Sequence, residues 1–343
     1  MPADQALAAA AVPQALLERI AERATAVDAA TDDPRQALVE LAQAGLLTLG
    51  APGHPGTITD MAAVLGAVAG ECLSSAFCAW GHRMALEYLA PGGGERAADL
   101  ADLRRIGSSA MAGAFKAYVG LERLSVRARR HGHALVLDGS IAWASNLHDD
   151  ALVVLAVDVD EAGPAIVAVP VGTDGLTISP ARGLLALEAT ASGRLVFEAA
   201  RVEADARHIE PFHAFVARVR RPFLALQSGF CLGLARAALS AGAGRLTGLG
   251  AEFADEHARL SREHERAAQR LAALADDEDV PIRELVRLRL DVAVVAREAV
   301  RVEATLTGGR GYIAASPTAR RLREAAFLPV QSPTEGQLRW ELR

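Results

Sequence analysis

The feature of this sequence that most constrains its fold is a hydrophobic periodicity that changes twice along the chain. Residues 13–108 carry apolar side chains at the three- and four-residue spacing of amphipathic helices. From about Leu124 the pattern becomes short alternating runs separated by Gly- and Asp-containing turns, which is typical of strands. From Pro211 the helical spacing returns and continues almost to the end. This order predicts an α+β chain and not a series of βαβ units.

The same pattern places the boundaries of three units. We predict an N-terminal helical domain at residues 1–108, a middle β-domain at 109–209 and a C-terminal helical bundle at 210–343. A length of 343 residues agrees with more than one hydrophobic core. The predicted strands are 124–129, 134–138, 152–157, 165–169 and 194–198, and the predicted C-terminal helices are 212–246, 251–275, 281–306 and 317–326.

Composition narrows the classes of partner. The formal charge of −6 and the lack of a basic tract predict no nucleic-acid partner. Three cysteines without CxxC spacing predict neither a disulfide framework nor a zinc site, and they favour a reducing, cytoplasmic compartment.

No histidine or carboxylate cluster has the spacing of metal ligands, so we predict no metal. No apolar run reaches the roughly 18 residues of a membrane span, so we expect none.

Three segments, in this order, resemble segments of the acyl-CoA dehydrogenase family of flavoproteins. The first is residues 44–52 with the helix that follows. The second, at 138–146, is similar to the strand and turn in which the family keeps a Trp-x-Thr/Ser segment beside the flavin ring. The third is Thr-Gly-Gly-Arg-Gly-Tyr at 307–312, which continues without a gap through Thr334 to Arg339. The resemblance implies a helical domain, a middle β-barrel or sandwich and a C-terminal four-helix bundle.

The resemblance also implies a cofactor, FAD, with FMN as the other flavin such a site could take. Trp143 is similar to the indole that packs against the flavin ring, and Ser145 to the hydroxyl residue near ring atoms N5 and O4. From the residues alone, Trp143 could equally be a buried aromatic of a sheet, and the glycine pair at 308–309 a helix C-cap. The cofactor-binding residues implied by the resemblance are Trp143, Ser145, Asn146, Gly308, Gly309 and Thr334.

Three cofactor-binding features of the family are missing here. The polar, Gly-rich stretch before the middle domain aligns with residues 112–119, which retain none of its polar groups. The Arg-x-x-Phe-Gly motif is not found after Arg236, and the Gln before the glycine pair is replaced by Thr305. These losses predict flavin binding that is weakened or lost.

The catalytic base expected from the resemblance is also replaced. In the family an acyl thioester is oxidised to its 2,3-enoyl form: a carboxylate removes the α-proton while hydride leaves the β-carbon for the flavin. The ungapped register puts Ser332 and Pro333 where the family has this Glu and the following Gly. Glu335, three residues on, is the candidate replacement base. The second position used for the base falls near Phe223, where the chain offers arginines but no carboxylate.

A further candidate is His82, at a position where flavin monooxygenases of this fold place an active-site histidine. The alternative for His82 is a histidine at a helix surface or domain seam. The leading prediction is therefore a flavin-dependent oxidoreductase that dehydrogenates an acyl thioester between its α- and β-carbons. The alternatives are a flavin-dependent monooxygenase on the same fold, and a non-catalytic subunit that completes the site of a paralogue.

The resemblance implies acyl-CoA or a similar small molecule as substrate. It also implies a homodimer or homotetramer, with a hetero-oligomer containing a paralogue as the other possibility. An apolar stripe agrees either with such assembly or with packing inside its own bundle. The stripe consists of Leu288, Val292, Val295 and Ala299.

Overall fold

The structure, a computed structural model, describes residues 12–92, 94–203, 207–208 and 210–343. Helices come first, a mixed β-sheet follows and helices return, in the order predicted from the periodicity. This arrangement agrees with the fold that the resemblance implies, with helical domains on either side of a mixed sheet. The helices before the sheet are α1 (Gln14–Asp28), α2 (Arg35–Gln43), α3 (Ile58–Glu71), α4 (Leu73–Leu89) and α5 (Gly94–Ala101).

Helix α4 is the central helix of this first group. It is buried from Leu73 to Tyr88, because α2, α3, the sheet and the C-terminal helices all pack against it. Its neighbour α3 begins at a capping box: Thr57 accepts a hydrogen bond from the backbone N–H of Asp60, and Asp60 accepts one from that of Thr57.

The sheet contains eight strands among the described residues, and one short helix lies between the first two. These elements are β1 (Gly107–Ala110), α6 (Ala112–Tyr118), β2 (Val126–His131), β3 (Ala134–Ala144), β4 (Leu152–Val159), β5 (Gly163–Pro170), β6 (Leu176–Pro180), β7 (Gly193–Val202) and β8 (Arg207–His208). The strand order is β6-β7-β3-β2-β4-β5-β8, with β1 beside β4. The pairs β1–β4 and β2–β4 are parallel and the other pairs are antiparallel. Each of the five predicted strands overlaps an observed one.

Strands β4 and β5 read as continuous apolar runs because both of their faces are covered. Alternate residues such as Leu152 and Val154 belong to the core shared with the helices. Their neighbours Val153 and Leu155 belong to a second core between β4, β5, β2, β3 and β7. The sheet therefore has a hydrophobic core on each face. The core that it shares with the helices packs the sheet against α4.

Strand β1 lacked an apolar pattern and was not predicted. It is the Gly-Ser-Ser-Ala segment, which lies between β4 and α4. Gly107 permits this close approach, because a Cβ there would overlap the side chain of Ala85 on α4. Packing against a neighbour, and not intrinsic propensity, makes this segment a strand.

The C-terminal helices agree with the predicted ones to within three residues at each end. The stripe formed by Leu288, Val292, Val295 and Ala299 is buried within the single chain. It therefore packs inside its own bundle and does not call for a second copy. The helices are α7 (Phe212–Ala243), α8 (Ala254–Leu274), α9 (Ile282–Thr307), α10 (Pro317–Phe327) and α11 (Glu335–Glu341).

Helix α7 lies at the centre of the bundle, between α3 and α9. Within the described part of the chain it is the one helix long and apolar enough to suit a membrane span, but 83% of that apolar window is buried in the protein. It meets α3 backbone to backbone, since a Cβ on Gly233 would overlap the carbonyl oxygen of Gly66. These are properties of a core helix.

Candidate functional site

A cavity of about 670 Å³ lies where α4, the end of β3 and the C-terminal helices meet. This volume is in the range of small-molecule sites. Its wall is mostly apolar, with a few hydroxyl groups on the side of the sheet. The wall includes Phe77, Trp80 and Gly81 of α4, residues 143–145 of β3 and its turn, residues 184–187, Phe223 of α7, residues 330–332 and Thr334.

On the side of the sheet, Trp143 presents an open aromatic face to the cavity. The residue is 62% exposed, so the alternative that it is a buried aromatic of the sheet is wrong. An indole left this open gains stability when a flat apolar ligand covers it.

Beside Trp143, three hydroxyl groups form a chain with a defined proton direction. Thr190 donates its one hydroxyl proton to the carbonyl of Leu187, at 2.7 Å. In its 2.8 Å contact with Ser192, Thr190 must therefore accept, and Ser192 must in turn accept from Ser145 at 2.7 Å. The hydroxyl proton of Ser145 thus points at Ser192, which leaves its lone pairs available to a donor in the cavity.

Asn146 acts as a clamp behind this wall. Its side-chain amide donates to the carbonyls of Cys78 on α4 and Gly107 on β1, at 2.9 and 3.0 Å, and its backbone N–H donates to Thr190. Its φ of 60° is left-handed, a conformation that asparagine tolerates better than most residues. Asn146 does not line the cavity; it fixes the turn that carries Ser145.

The opposite wall contains Ser332 and Thr334. The hydroxyl oxygen of Ser332 is buried without a hydrogen-bond partner, and its backbone carbonyl accepts from the amide of Gln227 at 2.9 Å. Thr334 lines the cavity and caps α11, where its hydroxyl accepts from the backbone N–H of Gln337. Ser332, which the sequence register aligns with the family's base position, therefore lies in the wall of the cavity.

Glu335 lies outside the cavity wall. It is the first residue of α11, and its carboxylate pairs with Arg297 at 2.6 Å and with Arg339 at 2.7 Å. The hydrogen bond from Arg339, with further help from Arg297, lowers the pKa of this carboxyl. A carboxylate held by two guanidinium groups is a weaker base and is turned away from the site.

Among the described residues that line the cavity there is no Asp, Glu or His. The charged lining residues are Lys116, the single lysine of the chain, and Arg323. Each pairs with an acid outside the wall: Lys116 with Glu122 at 2.8 Å, and Arg323 with Asp28. The cavity therefore presents hydroxyls, amides and cations, but no carboxylate.

The second position at which the family places a base, near Phe223, also offers no carboxylate to the cavity. Phe223 lines the cavity, while its neighbours point elsewhere. Arg220 pairs with Glu341, and Arg221 donates to the carbonyls of Leu274 and Val280. This part of α7 supplies apolar wall only.

The glycine pair also lies away from the cavity. Gly308 and Gly309 are exposed and follow the last residue of α9. Gly308 has φ 64° and ψ −150°, which a residue with a Cβ adopts only with strain, so it ends the helix.

His82 is fully buried between α4, α5 and β1 and does not line the cavity. Its Nδ1 accepts the backbone N–H of Gly107 at 3.0 Å, and Nε2 lies 3.1 Å from the carbonyl of Leu100. This pairing requires a neutral ring with its proton on Nε2. Burial lowers its pKa to about 4. His82 is a structural link at a domain seam, which was the alternative to an active-site role.

The lowered pKa of His82 makes stability depend on pH. Below pH 6.5 the unfolded chain protonates this histidine, whereas the folded chain resists until about pH 4. The free energy of unfolding should therefore fall by up to about 3 kcal/mol as the pH drops through that window. The free energy of unfolding, measured by urea denaturation between pH 7.5 and 4, should depend less steeply on pH in H82Q than in the wild type. The exposed-histidine variant H133Q should follow the wild type, and identical slopes for wild type and H82Q would contradict this assignment.

The cavity also contains residues that the sequence did not single out. Gln331, Lys116 and Ser192 line it, and Gln227 holds the backbone of Ser332. The uniqueness of Lys116 was a visible signal, but the glutamines stand in helical or turn sequence with nothing to mark them. In the described ranges, no group of three or more His, Cys, Asp or Glu side chains could hold a metal ion.

Comparison with curated proteins gives matches to short-chain specific acyl-CoA dehydrogenases. No family model matches the chain. Short-chain specific acyl-CoA dehydrogenase, a mitochondrial protein of Bos taurus, is 28% identical over 228 residues, which are 60% of this chain and 55% of that protein. The corresponding Homo sapiens protein is 26% identical over 231 residues. The chain thus spans about half the length of the curated relatives it matches.

Solved structures extend the likeness to almost the whole chain. Butyryl-CoA dehydrogenase from Megasphaera elsdenii superposes with a TM-score of 0.84 over 99% of this chain and 96% of that one, at 15% identity. FkbI, described as serving biosynthesis of the methoxymalonyl extender unit of the FK520 polyketide, gives 0.83 over 96% and 97%, at 21% identity. At these identities the superpositions establish the fold.

Proposed function

We propose that the chain is a flavin-dependent oxidoreductase of the acyl-CoA dehydrogenase family, and that it binds FAD and an acyl thioester in the cavity described above. One observation carries the proposal. A single cavity is lined both by Trp143 and Ser145 and by Ser332 and Thr334. These are the two segments that the resemblance assigns to the cofactor and to the reacting carbons, and they are far apart in the sequence.

The residues present fit the ring of a flavin, from either FAD or FMN. Trp143 offers an open, flat aromatic face, and the lone pairs of Ser145 can accept a ring N–H. Asn146 keeps that wall in place from behind. A flavin bound here supplies the acceptor for the hydride that leaves the substrate's β-carbon.

The rest of the cavity suits an acyl chain. Phe77, Phe223 and Phe327 form apolar walls from three different helices. Each methylene group transferred from water to such walls contributes about 0.8 kcal/mol to binding. We propose acyl-CoA or a similar thioester as the substrate class.

The proton-transfer step is the weak point of this site. The dehydrogenation requires a group that takes the α-proton, and the described cavity wall contains no carboxylate. Ser332 stands at the family's base position, and its hydroxyl oxygen is buried without a hydrogen-bond partner. A positioned general base contributes about 10²–10⁴-fold to such a step, and an unassisted hydroxyl supplies little of it. We therefore propose slow α,β-dehydrogenation by the wild-type protein.

Assembly is part of the same proposal. In a homodimer or homotetramer, or in a hetero-oligomer with a paralogue, the exposed turn at Gly308 and Gly309 would lie against the dinucleotide of a neighbouring subunit. The absence of side chains on this exposed turn supports such an approach, because no Cβ separates its backbone from a neighbouring molecule.

The proposal is tested by flavin binding. FAD and then FMN are added to purified protein, free flavin is removed, and the absorption spectrum is recorded. We expect bound flavin in the wild type and roughly tenfold weaker binding in W143A, because the ring loses its stacking partner. W340A, which removes a partly exposed tryptophan outside the cavity, should bind like the wild type.

The alternative outcomes of this experiment are equally informative. Protein that retains neither flavin would overturn the proposal and favour the non-catalytic subunit. Equal loss of flavin binding in W143A and W340A would refute the assigned position of the ring.

One observation favours a second candidate, a flavin-dependent monooxygenase. A cavity wall without a carboxylate, in the part of the chain that the structure describes, suits chemistry in which no α-proton is removed. His82, however, is buried away from the cavity and does not support this candidate. Oxygen consumption with NADH and a flavin reductase, above the rate of free flavin and dependent on an organic substrate, would favour it over dehydrogenation.

A further inference from the structure

Arg289 on α9 is a buried cation beside the cavity whose hydrogen-bond partners are all neutral. It is 0% exposed. Its Nε donates to Oε1 of Gln227 at 3.0 Å, and one terminal nitrogen lies 3.1 Å from Oε1 of Gln331 and 3.4 Å from the carbonyl of Leu328. The other terminal nitrogen has no partner. Within the described residues no carboxylate lies within ion-pair distance, so the charge is not neutralised by the protein. Such an arrangement favours an anion nearby.

The guanidinium fixes the orientation of both glutamines. Because arginine only donates hydrogen bonds, the amide oxygens of Gln227 and Gln331 face Arg289 and their NH₂ groups face away. The NH₂ group of Gln227 donates to the backbone carbonyl of Ser332 at 2.9 Å. The NH₂ group of Gln331 is buried and has no partner.

Gln331 is the member of this cluster that lines the cavity. It is only 4% exposed, so solvent does not compensate its free N–H groups. A buried donor without an acceptor costs free energy until a ligand supplies one. A hydrogen-bond acceptor on a ligand in the cavity would compensate this donor.

The charge around the cavity indicates which acceptor. The charged residues of its described wall are the cations Lys116 and Arg323, each already paired with an acid. Arg289, directly behind Gln331, adds a charge that is not paired. An anionic oxygen is therefore favoured over a neutral carbonyl, since hydrogen bonds to charged groups are the stronger ones.

We propose that the cavity selects acyl groups that carry a carboxylate, which accepts a hydrogen bond from the amide of Gln331 while Arg289 supplies the opposite charge. Gln331 is then a specificity-determining residue and Arg289 a positioning residue. This inference rests on the proposed function, because it takes the acyl thioester as the ligand. It narrows the acyl thioesters proposed above to one class, the thioesters of dicarboxylic acids.

The test measures binding and not turnover. Isothermal titration calorimetry compares matched coenzyme A thioesters that differ in a terminal carboxylate: butyryl with succinyl, pentanoyl with glutaryl, and hexanoyl with adipyl. In at least one pair we expect the dicarboxylic thioester to bind about tenfold tighter or more. In Q331L this preference should fall below about threefold.

Two further variants keep the test decisive. Q337L removes a glutamine of similar burial that does not line the cavity, and it should retain the preference. Q331E keeps an acceptor for Arg289 but replaces the free N–H groups by oxygen, so it should reverse the preference even if Q331L folds poorly.

The possible failures are distinguishable. If none of the thioesters binds, the proposed function fails. If both members of every pair bind equally, or if Q331L keeps the full preference, the proposed function stands and the inference about the carboxylate is overturned.

Discussion

Replacing Ser332 with glutamate should produce a variant that dehydrogenates acyl-CoA substrates about 10²–10⁴ times faster than the wild type, because it installs a general base where the cavity wall lacks one. The substitution breaks no side-chain hydrogen bond, since the Ser332 hydroxyl makes none and the residue is held through its backbone carbonyl. The measurement is bleaching of bound flavin by acyl-CoA in the absence of oxygen.

The matched control is S332Q, which has nearly the same shape but cannot take a proton. A rate gain in S332E that S332Q does not share would establish base catalysis at this position. Equal rates in the two variants, with flavin bound in both, would instead show that residue 332 does not reach the substrate's α-carbon.

The second large effect concerns stability and a buried ion pair in the bundle. Glu303 of α9 is 1% exposed and accepts hydrogen bonds from Arg321 of α10, at 2.8 Å to Nε, and from the hydroxyl of Thr318, at 2.6 Å. E303Q removes the negative charge and leaves the guanidinium buried without it. We expect the free energy of unfolding to fall by about 3 kcal/mol, because an uncompensated buried charge is costly.

Chemical denaturation checks this, with E298Q as the control on the same helix. Glu298 pairs with Arg301 at 3.0 Å, but both side chains are more than a third exposed, so solvent screens the interaction. Its loss should cost less than about 1 kcal/mol. If the two variants lost equal stability, burial would not be what makes the Glu303 pair strong.

The site residues show what could be predicted. Trp143, Ser145 and Thr334 were assigned from a family resemblance, and the fold brings them to one cavity together with Ser332. Glu335 is three residues from the position expected for the base, and the sequence alone does not show which way its side chain points. In the fold it begins α11, and its side chain turns to Arg297 on α9.

The sequence by itself determined the order of helices and strands, because the spacing of apolar residues reports which face of each element is buried. It therefore predicted the long C-terminal helices and the five main strands. It did not predict β1, whose strand conformation depends on its neighbours. Local periodicity carries no information about which distant side chains meet.

The contacts that define the site were decided by tertiary structure alone. Gln227 and Gln331 meet Arg289 across 62 and 42 residues of chain. Their chemical role comes from that meeting, because the guanidinium orients both amides and burial leaves one N–H group without a partner. Burial likewise made His82 a neutral structural link. Hydrogen-bond direction and desolvation are properties of the packed environment, so the sequence could nominate these residue types but could not assign their roles.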